Sequence, residues 1–116
     1  MTAQDFVDTI RRVVLEASIT DTISIVTKPP GRRPADEIVE LSRWFNGLAE
    51  QDRTMVRGML KLCAHGAVFG MLAVIDGARQ VETAFGPKGS FELTFTKDGH
   101  QDVLGGPRGK LLHEFL

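Results

Sequence analysis

The side chains that could do chemistry in this sequence are one thiol, three imidazoles and the carboxylates near them. Cys63 and His65 form the closest thiol–imidazole pair. Residues two apart on a helix point about 200° away from each other, so this pair cannot share a proton or a metal ion there. Cys63 also lies on an apolar stripe, which favours a buried and unreactive thiol. We therefore expect no nucleophile or metal ligand from this pair.

The other two imidazoles lie in the last third of the chain. His100 follows a predicted turn and is expected to face solvent, while His113-Glu114 lies among apolar residues and is expected to point outward as they dock. Only three-dimensional folding could bring such groups together. The candidate residues of a polar site are then Asp76, His100, His113 and Glu114. Since no metalloprotease, nucleophile-elbow or phosphate-loop spacing occurs, we expect no metal, no cofactor and, on balance, no enzyme.

Length and charge limit the other function classes. The 116 residues match one domain, which we place over residues 1–116. Fourteen basic residues face fifteen acidic ones, for a net charge of −1. Proteins that bind nucleic acids usually carry a basic excess, because each phosphate contact needs a Lys or Arg. We therefore expect no nucleic-acid partner.

The N-terminus and the cysteine content predict a cytoplasmic protein. The first residues are polar and acidic, unlike a signal peptide, and a single cysteine cannot form an intramolecular disulfide. The longest apolar run, from Ala67 to Ile75, is about half of the roughly 20 residues that span a bilayer. The sequence thus predicts no membrane association.

Periodicity in the first third predicts a helix and then a strand. Apolar residues recur at helical spacing over Ala3–Ala17, and Thr2 can cap this helix with Asp5 in its first turn. Within Ser18–Pro34, β-branched residues alternate around Ile23, which predicts a short strand.

The next predicted helix runs from Pro34 to Asn46, with Gly47 as a left-handed C-terminal cap. Its apolar stripe contains Trp44 and Phe45. Because Trp contributes disproportionately to binding energy, Trp44 and Phe45 are the candidate residues of a protein interface.

The central segment allows two interpretations. Apolar residues recur at three- and four-residue spacing from Glu50 to Ile75, which predicts a single helix. Asp76-Gly77 is expected to end this helix, and its half beyond Ala67 is expected to be buried on all sides. Alternatively, the helix ends near Gly66 and Val68–Ile75 is a buried strand. The unbroken phase favours the single helix, whose small residues Gly58, Gly66 and Gly70 suit close helix packing or a homodimer.

Alternation at Phe91, Leu93 and Phe95, followed by Asp98-Gly99, predicts an antiparallel hairpin. A last helical turn is expected within Lys110–Leu116. The predicted fold class is therefore α+β, in which N-terminal helices and a long buried central helix pack on a small antiparallel sheet from the C-terminal third.

The string FGMLAVIDG at residues 69–77, the alternating strand after it and LHEF at residues 112–115 resemble a group of small bacterial α+β proteins, some of which look like immunity proteins of toxin systems. The resemblance covers Trp44 to Leu116. It implies an α+β fold and transfers no catalytic residues.

Two function classes remain. The first is a non-enzymatic module that binds another protein, with an immunity-type inhibitor and a homodimer as particular cases. The second is a small enzyme or ligand-binding domain whose site forms only on folding. The sequence favours the first, because catalytic groups at workable spacing are missing from it.

Overall fold

The computed structural model describes residues 1–83 and 85–116, and the fold is α+β. Most of the chain is helical, and a two-stranded antiparallel sheet lies near the C-terminus. The elements in chain order are α1 (Ala3–Ile10), a π-helical segment (Arg11–Glu16), α2 (Ala17–Thr27), α3 (Asp36–Asn46), α4 (Glu50–Ile75), β1 (Leu93–Lys97), β2 (His100–Gly105) and a C-terminal 3-10 turn (Leu112–Phe115).

The first helix begins at a capping box. The Thr2 hydroxyl accepts from the Asp5 backbone N–H at 3.0 Å, and the Asp5 carboxylate accepts from the Thr2 N–H at 3.0 Å. These bonds lower the pKa of Asp5. They satisfy backbone donors that a helix start leaves unpaired, which fixes where α1 begins.

The predicted strand around Ile23 is wrong, because α1, the π-helical segment and α2 follow one another without a break to Thr27. Three hydroxyls in this region return to the helix backbone: Ser18 to the carbonyl of Leu15, Thr22 to that of Ser18 and Thr27 to that of Ile23. The apolar side chains recur at helical spacing and pack against α3. This packing outweighs the strand preference of β-branched residues.

Helix α3 returns along α2 after the Pro29-Pro30-Gly31 turn. Asp36 and Glu37 occupy its first turn, and the Asn46 amide donates to the carbonyl of Thr27 at 3.0 Å. Gly47 caps α3 as predicted, but its φ of −80° is right-handed rather than left-handed. A Cβ at position 47 would lie 3.3 Å from the carbonyl oxygen of Arg43 and 3.5 Å from that of Trp44. Close backbone contacts, and not a positive φ, therefore favour glycine here.

Helix α4 is one continuous helix of 26 residues, which confirms the favoured interpretation of the central segment. Gly77, with φ of +75°, ends it. The Ala78 N–H donates to the carbonyl of Ala73 at 2.9 Å and the Gly77 N–H to that of Val74 at 3.1 Å, which is the Schellman pattern. The predicted strand alternative for Val68–Ile75 is thereby excluded.

The prediction that α4 is buried all round beyond Ala67 is wrong. Leu72 and Ala73 are buried, whereas Phe69 is partly exposed and Met71 is 61% exposed. The sequence places apolar residues on several faces of the helix, but the rest of the chain covers only one of them.

The hairpin forms as predicted. Lys97 pairs with His100, and Asp98 and Gly99 both have positive φ, as a two-residue type I′ turn requires. The carboxylate of Glu92, just before β1, receives a bidentate hydrogen bond from Arg108, which ties the loop after β2 to the base of the hairpin.

The core is small. It is formed by Ala3 and Val7 of α1, Leu72 of α4 and Leu112 of the 3-10 turn. The chain exposes 8527 Å², whereas a compact monomer of 12.8 kDa exposes about 6,300 Å². The radius of gyration is 18.7 Å, against about 13 Å for a compact domain of this length. The fold is therefore open, with one packed end.

Candidate functional site

Two of the four polar candidates, Asp76 and His113, meet at the packed end. The Asp76 side chain is fully buried. Its Oδ1 accepts from the Leu112 N–H at 2.8 Å, and its Oδ2 accepts from the His113 N–H at 2.8 Å and lies 2.6 Å from His113 Nδ1. His113 thus turns inward, contrary to the expectation that it faces outward. The carboxylate at the end of α4 holds the start of the 3-10 turn, as an N-terminal cap does.

The other two candidates lie apart from this pair. The His100 ring faces Asp102 at 3.1 Å on the hairpin and is exposed. The N-terminal ammonium group donates to Asp102 at 2.8 Å and lowers the pKa of that carboxyl, with a smaller contribution from His100. Glu114 is exposed. The predicted polar site is thus reduced to Asp76 and His113.

Aromatic rings surround His113 on its other side. Phe69 meets the His113 ring edge-on with centroids 5.3 Å apart, and His65 stacks on Phe69 at 6.2 Å. In the described part of the chain, no three His, Cys, Asp or Glu side chains group closely enough to hold a metal ion. Cys63 is exposed rather than buried, because α2 covers α4 only partly at that height. These contacts position the 3-10 turn on α4.

A cavity of about 480 Å³ lies between the C-terminal end of α4 and the loop that follows. Arg79, Glu82 and Lys88 are among its lining residues, and Glu82 accepts from the Gly89 N–H at 2.7 Å. The backbone of Asp76 borders the cavity, but its buried carboxylate does not open into it. The cavity and the Asp76–His113 pair are therefore separate features.

The predicted interface residues Trp44 and Phe45 have different surroundings. Trp44 is 57% exposed, whereas Phe45 is 2% exposed and belongs to the interior. Neighbouring residues on a helix point about 100° apart, which is why one of them packs inward while the other faces solvent. Of the two, only Trp44 presents its ring to solvent.

An extended apolar surface lies on α4, on the face turned away from α2. It consists of Met55, Met59, Leu62, Gly66 and Phe69, which we call the α4 seam. These residues are spaced four, three, four and three apart, so they form one line along the helix. Leu62, at its centre, is 78% exposed, and Met55 and Met59 are more than half exposed.

Three glycines near the seam differ in what covers them. The Arg79 guanidinium lies over Gly70, where a Cβ would collide with its Nη1. At Gly58 and Gly66, a Cβ would meet no atom within 4 Å among the residues that the structure describes. The seam therefore has open space at two places where a second backbone could approach closely.

Glu50, Arg53 and Arg57 lie on the opposite side of α4 from the seam, whereas Asp52, three residues before Met55, continues the line of the seam at its N-terminal end. Arg53 and Arg57 pair with Glu50 in the first turns, and the Arg53 hydrogen bond lowers the pKa of Glu50. Within the described span Met55–Phe69, the seam itself contains no charged side chain. From Met55 to Phe69 the seam is thus uncharged, as the core of a protein interface is depleted of charged residues.

Helix α4 is long and apolar enough to cross a membrane. Of its most apolar 18-residue stretch, 17% is buried in the fold. Its opposite face packs on α2, whose exposed surface carries Thr20, Asp21 and Ser24. Its C-terminal end is held by the Asp76 hydrogen bonds to the 3-10 turn. If α4 crossed a bilayer with α2 still packed against it, the polar side chains of α2 would face lipid.

The sequence-based prediction missed Met55, Met59 and Leu62. The prediction followed the phase of Val56, Leu60 and Cys63, which lies on the side facing α2. A second rhythm one residue earlier was present in the sequence. The two series of apolar residues have the same spacing and differ only in whether α2 covers them. The spacing of residues in the sequence does not indicate which series is covered.

No family model matches the chain, and neither curated proteins nor solved structures gave a significant match to it. Function is therefore inferred from the geometry of these residues.

Proposed function

We propose that this chain is a non-catalytic protein-binding module and that the α4 seam is its binding surface. The observation that carries the proposal is the line Met55, Met59, Leu62 and Phe69, exposed along a helix that α2 covers in part and on another side. Monomeric proteins rarely expose a continuous apolar line of this length, and such surfaces mark interaction sites.

The chemistry of the seam suits a protein partner. Transferring a Met or Leu side chain from water to an interface contributes about 1.5–3 kcal/mol. Methionine also adapts to the shape of what it meets. A helix face with anchors at four- and three-residue spacing matches another helix laid along it.

Trp44 is a second proposed contact residue, on α3. Its ring is more than half exposed, and Leu41, one turn earlier on the same face, is also exposed. An immunity-type inhibitor would use such surfaces to cover its target. In the cytoplasm, reducing conditions would keep the exposed Cys63 beside the seam as a free thiol.

The alternative is a small enzyme or ligand site in which Asp76 orients His113. The 2.6 Å contact between them is the observation in its favour. However, both Asp76 oxygens also accept backbone N–H groups of the 3-10 turn, so the carboxylate already has a structural role. The binding module is therefore the better-supported function.

Site-specific photocrosslinking in the native cell tests the proposal. A photoreactive amino acid replaces Met59 in the seam in one variant and Met71, which is also exposed but lies about 120° from Met59 around the helix, in the other. We expect a protein adduct from position 59 and far less from position 71. A variant that crosslinks only to lipid, or equally from both positions, would count against a protein-binding seam.

A further inference from the structure

We propose that the partner of the α4 seam is a second copy of this chain, bound antiparallel across a two-fold axis near Ala64. This inference rests on the proposed function, because it names the occupant of the same surface. Three observations carry it: the surplus surface of the chain, the order of side chains along the seam and the absence of charge from it.

The surplus surface matches what a stable dimer needs. The chain exposes 8527 Å², about 2,200 Å² more than a compact monomer of its mass. Obligate homodimers bury roughly 2,000–5,000 Å² in total, or half of that from each chain. Burying even half of this surplus on each chain would give an interface in that class. A small peptide or a single loop would leave most of the surplus exposed.

The seam is complementary to itself when it is reversed. A two-fold axis at residue 64 places Leu62 opposite Gly66 of the other copy, and Met59 opposite Phe69. The largest exposed aliphatic side chain thus meets the position that has open space around its Cα. In a parallel pair, Gly66 would meet Gly66 and leave a gap at the centre. The antiparallel arrangement therefore fills the interface better.

The spacing also sets the packing geometry. Alternating steps of three and four residues keep a seam facing a partner helix in the left-handed arrangement, with axes crossing at about 20°. With the axis at Ala64, the seam residues that face each other run from Met59 to Phe69, a contact of roughly 15 Å. Gly58 and Gly66 lie along this line and permit close approach of the two backbones.

Charge does not oppose self-association. The net charge is −1, so two copies repel each other only weakly. Within the described span Met55–Phe69, charged side chains lie to the side of the seam, and pairing two copies buries no like charges. A partner selected by charge would instead be expected to face a charged groove.

Light scattering on the full-length chain and two variants tests the proposal. Wild type is expected to have twice the 12.8 kDa chain mass at micromolar concentration. Leu62→Glu places two carboxylates in the interface and is expected to weaken the dimer at least about 100-fold, giving a monomer. Met71→Glu is the matched control. It changes an exposed apolar residue of the same helix about half a turn away from Leu62, and is expected to leave the mass unchanged.

Disulfide trapping tests the orientation in a Cys63→Ser background. A mixture of Leu62→Cys and Gly66→Cys chains is expected to crosslink, whereas Met55→Cys chains alone are not. Efficient crosslinking of Met55→Cys with itself would overturn the antiparallel arrangement. Circular dichroism of each variant verifies that α4 is still folded.

Monomeric wild type at high concentration would overturn the homodimer. The photocrosslinking outcome then separates the two proposals. An adduct to a different protein at position 59 would preserve the binding module and remove the self-pairing, while lack of any protein adduct would remove both. Flotation of the chain with phospholipid vesicles, abolished by Leu62→Glu, would assign the seam to a membrane and also overturn both.

Discussion

The two ends of α4 carry apolar side chains in similar number but have opposite surroundings. Toward the C-terminus, Leu72 packs with α1 and the 3-10 turn, and the Asp76 carboxylate closes the contact with backbone hydrogen bonds. Over the first two-thirds, Met59 and Leu62 lie on a helix that α2 covers on one side only. The helix is thus continuous over its whole length, whereas only its C-terminal part contributes to the core. The packed end is complete within the chain, and the open part is where we propose that a partner binds.

The largest effect is expected at the packed end. Leu112 is completely buried and belongs to a core cluster with few fully buried members, so Leu112→Ala should lower the free energy of unfolding by about 4 kcal/mol. Leu111→Ala, at the exposed neighbouring position, is the control and should cost less than about 1 kcal/mol. Urea unfolding measures both. Equal losses would mean that Leu112 does not have the core role that its burial indicates.

Removing the carboxylate at the end of α4 should have the next largest effect. Asp76→Ala leaves the N–H groups of Leu112 and His113 without their acceptor and should destabilise the fold by about 3 kcal/mol. Amide exchange at residues 112–115 should accelerate with it. Glu114→Ala, which removes an exposed carboxylate nearby, should change neither quantity. Unchanged exchange in Asp76→Ala would show that the 3-10 turn is held by other contacts.

The substitution Gly66→Ala in the seam should affect the stability of the single chain and the affinity of the dimer in opposite directions. In the Leu62→Glu background, Gly66→Ala should raise the free energy of unfolding by about 1 kcal/mol, because alanine favours a helix interior over glycine. In the wild-type background the same change places a methyl group where the partner's Leu62 is expected and should raise the dissociation constant. Thermal unfolding and light scattering measure the two effects. A dissociation constant that does not change would place the seam outside the interface.

The smallest effect is expected at the hairpin base. Hydrogen bonds from Arg108 lower the pKa of Glu92 relative to the unfolded chain. The stability from this pair is therefore present at neutral pH and is lost as the pH falls through the folded-state pKa of Glu92. Glu92→Gln should lower the melting temperature slightly at pH 7, and the difference from wild type should shrink as the pH falls through the lowered pKa of Glu92. A difference that does not change with pH would mean that the pair does not contribute.

Local signals in the sequence predicted much of the fold. Thr2 and Asp5, Asp98-Gly99 and Asp76-Gly77 each direct the backbone through neighbouring groups, and each has the predicted role. The region around Ile23 was predicted wrongly, because its strand preference is weaker than its packing on α3. Asp76 and His113 were among the predicted polar residues, but His100 and Glu114 do not join them, since their meeting depended on tertiary geometry.

The seam marks the limit of prediction from one chain. Met55, Met59 and Leu62 are as regularly spaced as the buried stripe, so the pattern predicts an apolar face without indicating what covers it. Which of these faces the rest of the chain covers depends on tertiary packing, which the spacing of residues does not specify.

The concentration dependence of unfolding tests the central claim most directly. If a second copy covers the α4 seam, part of the folding free energy comes from association, and the urea midpoint should rise between 1 and 100 µM protein, by about 2.7 kcal/mol in free energy for a hundredfold change. Leu62→Glu should abolish this rise. A wild-type midpoint that is the same at both concentrations, with a monomer mass throughout, would contradict the account.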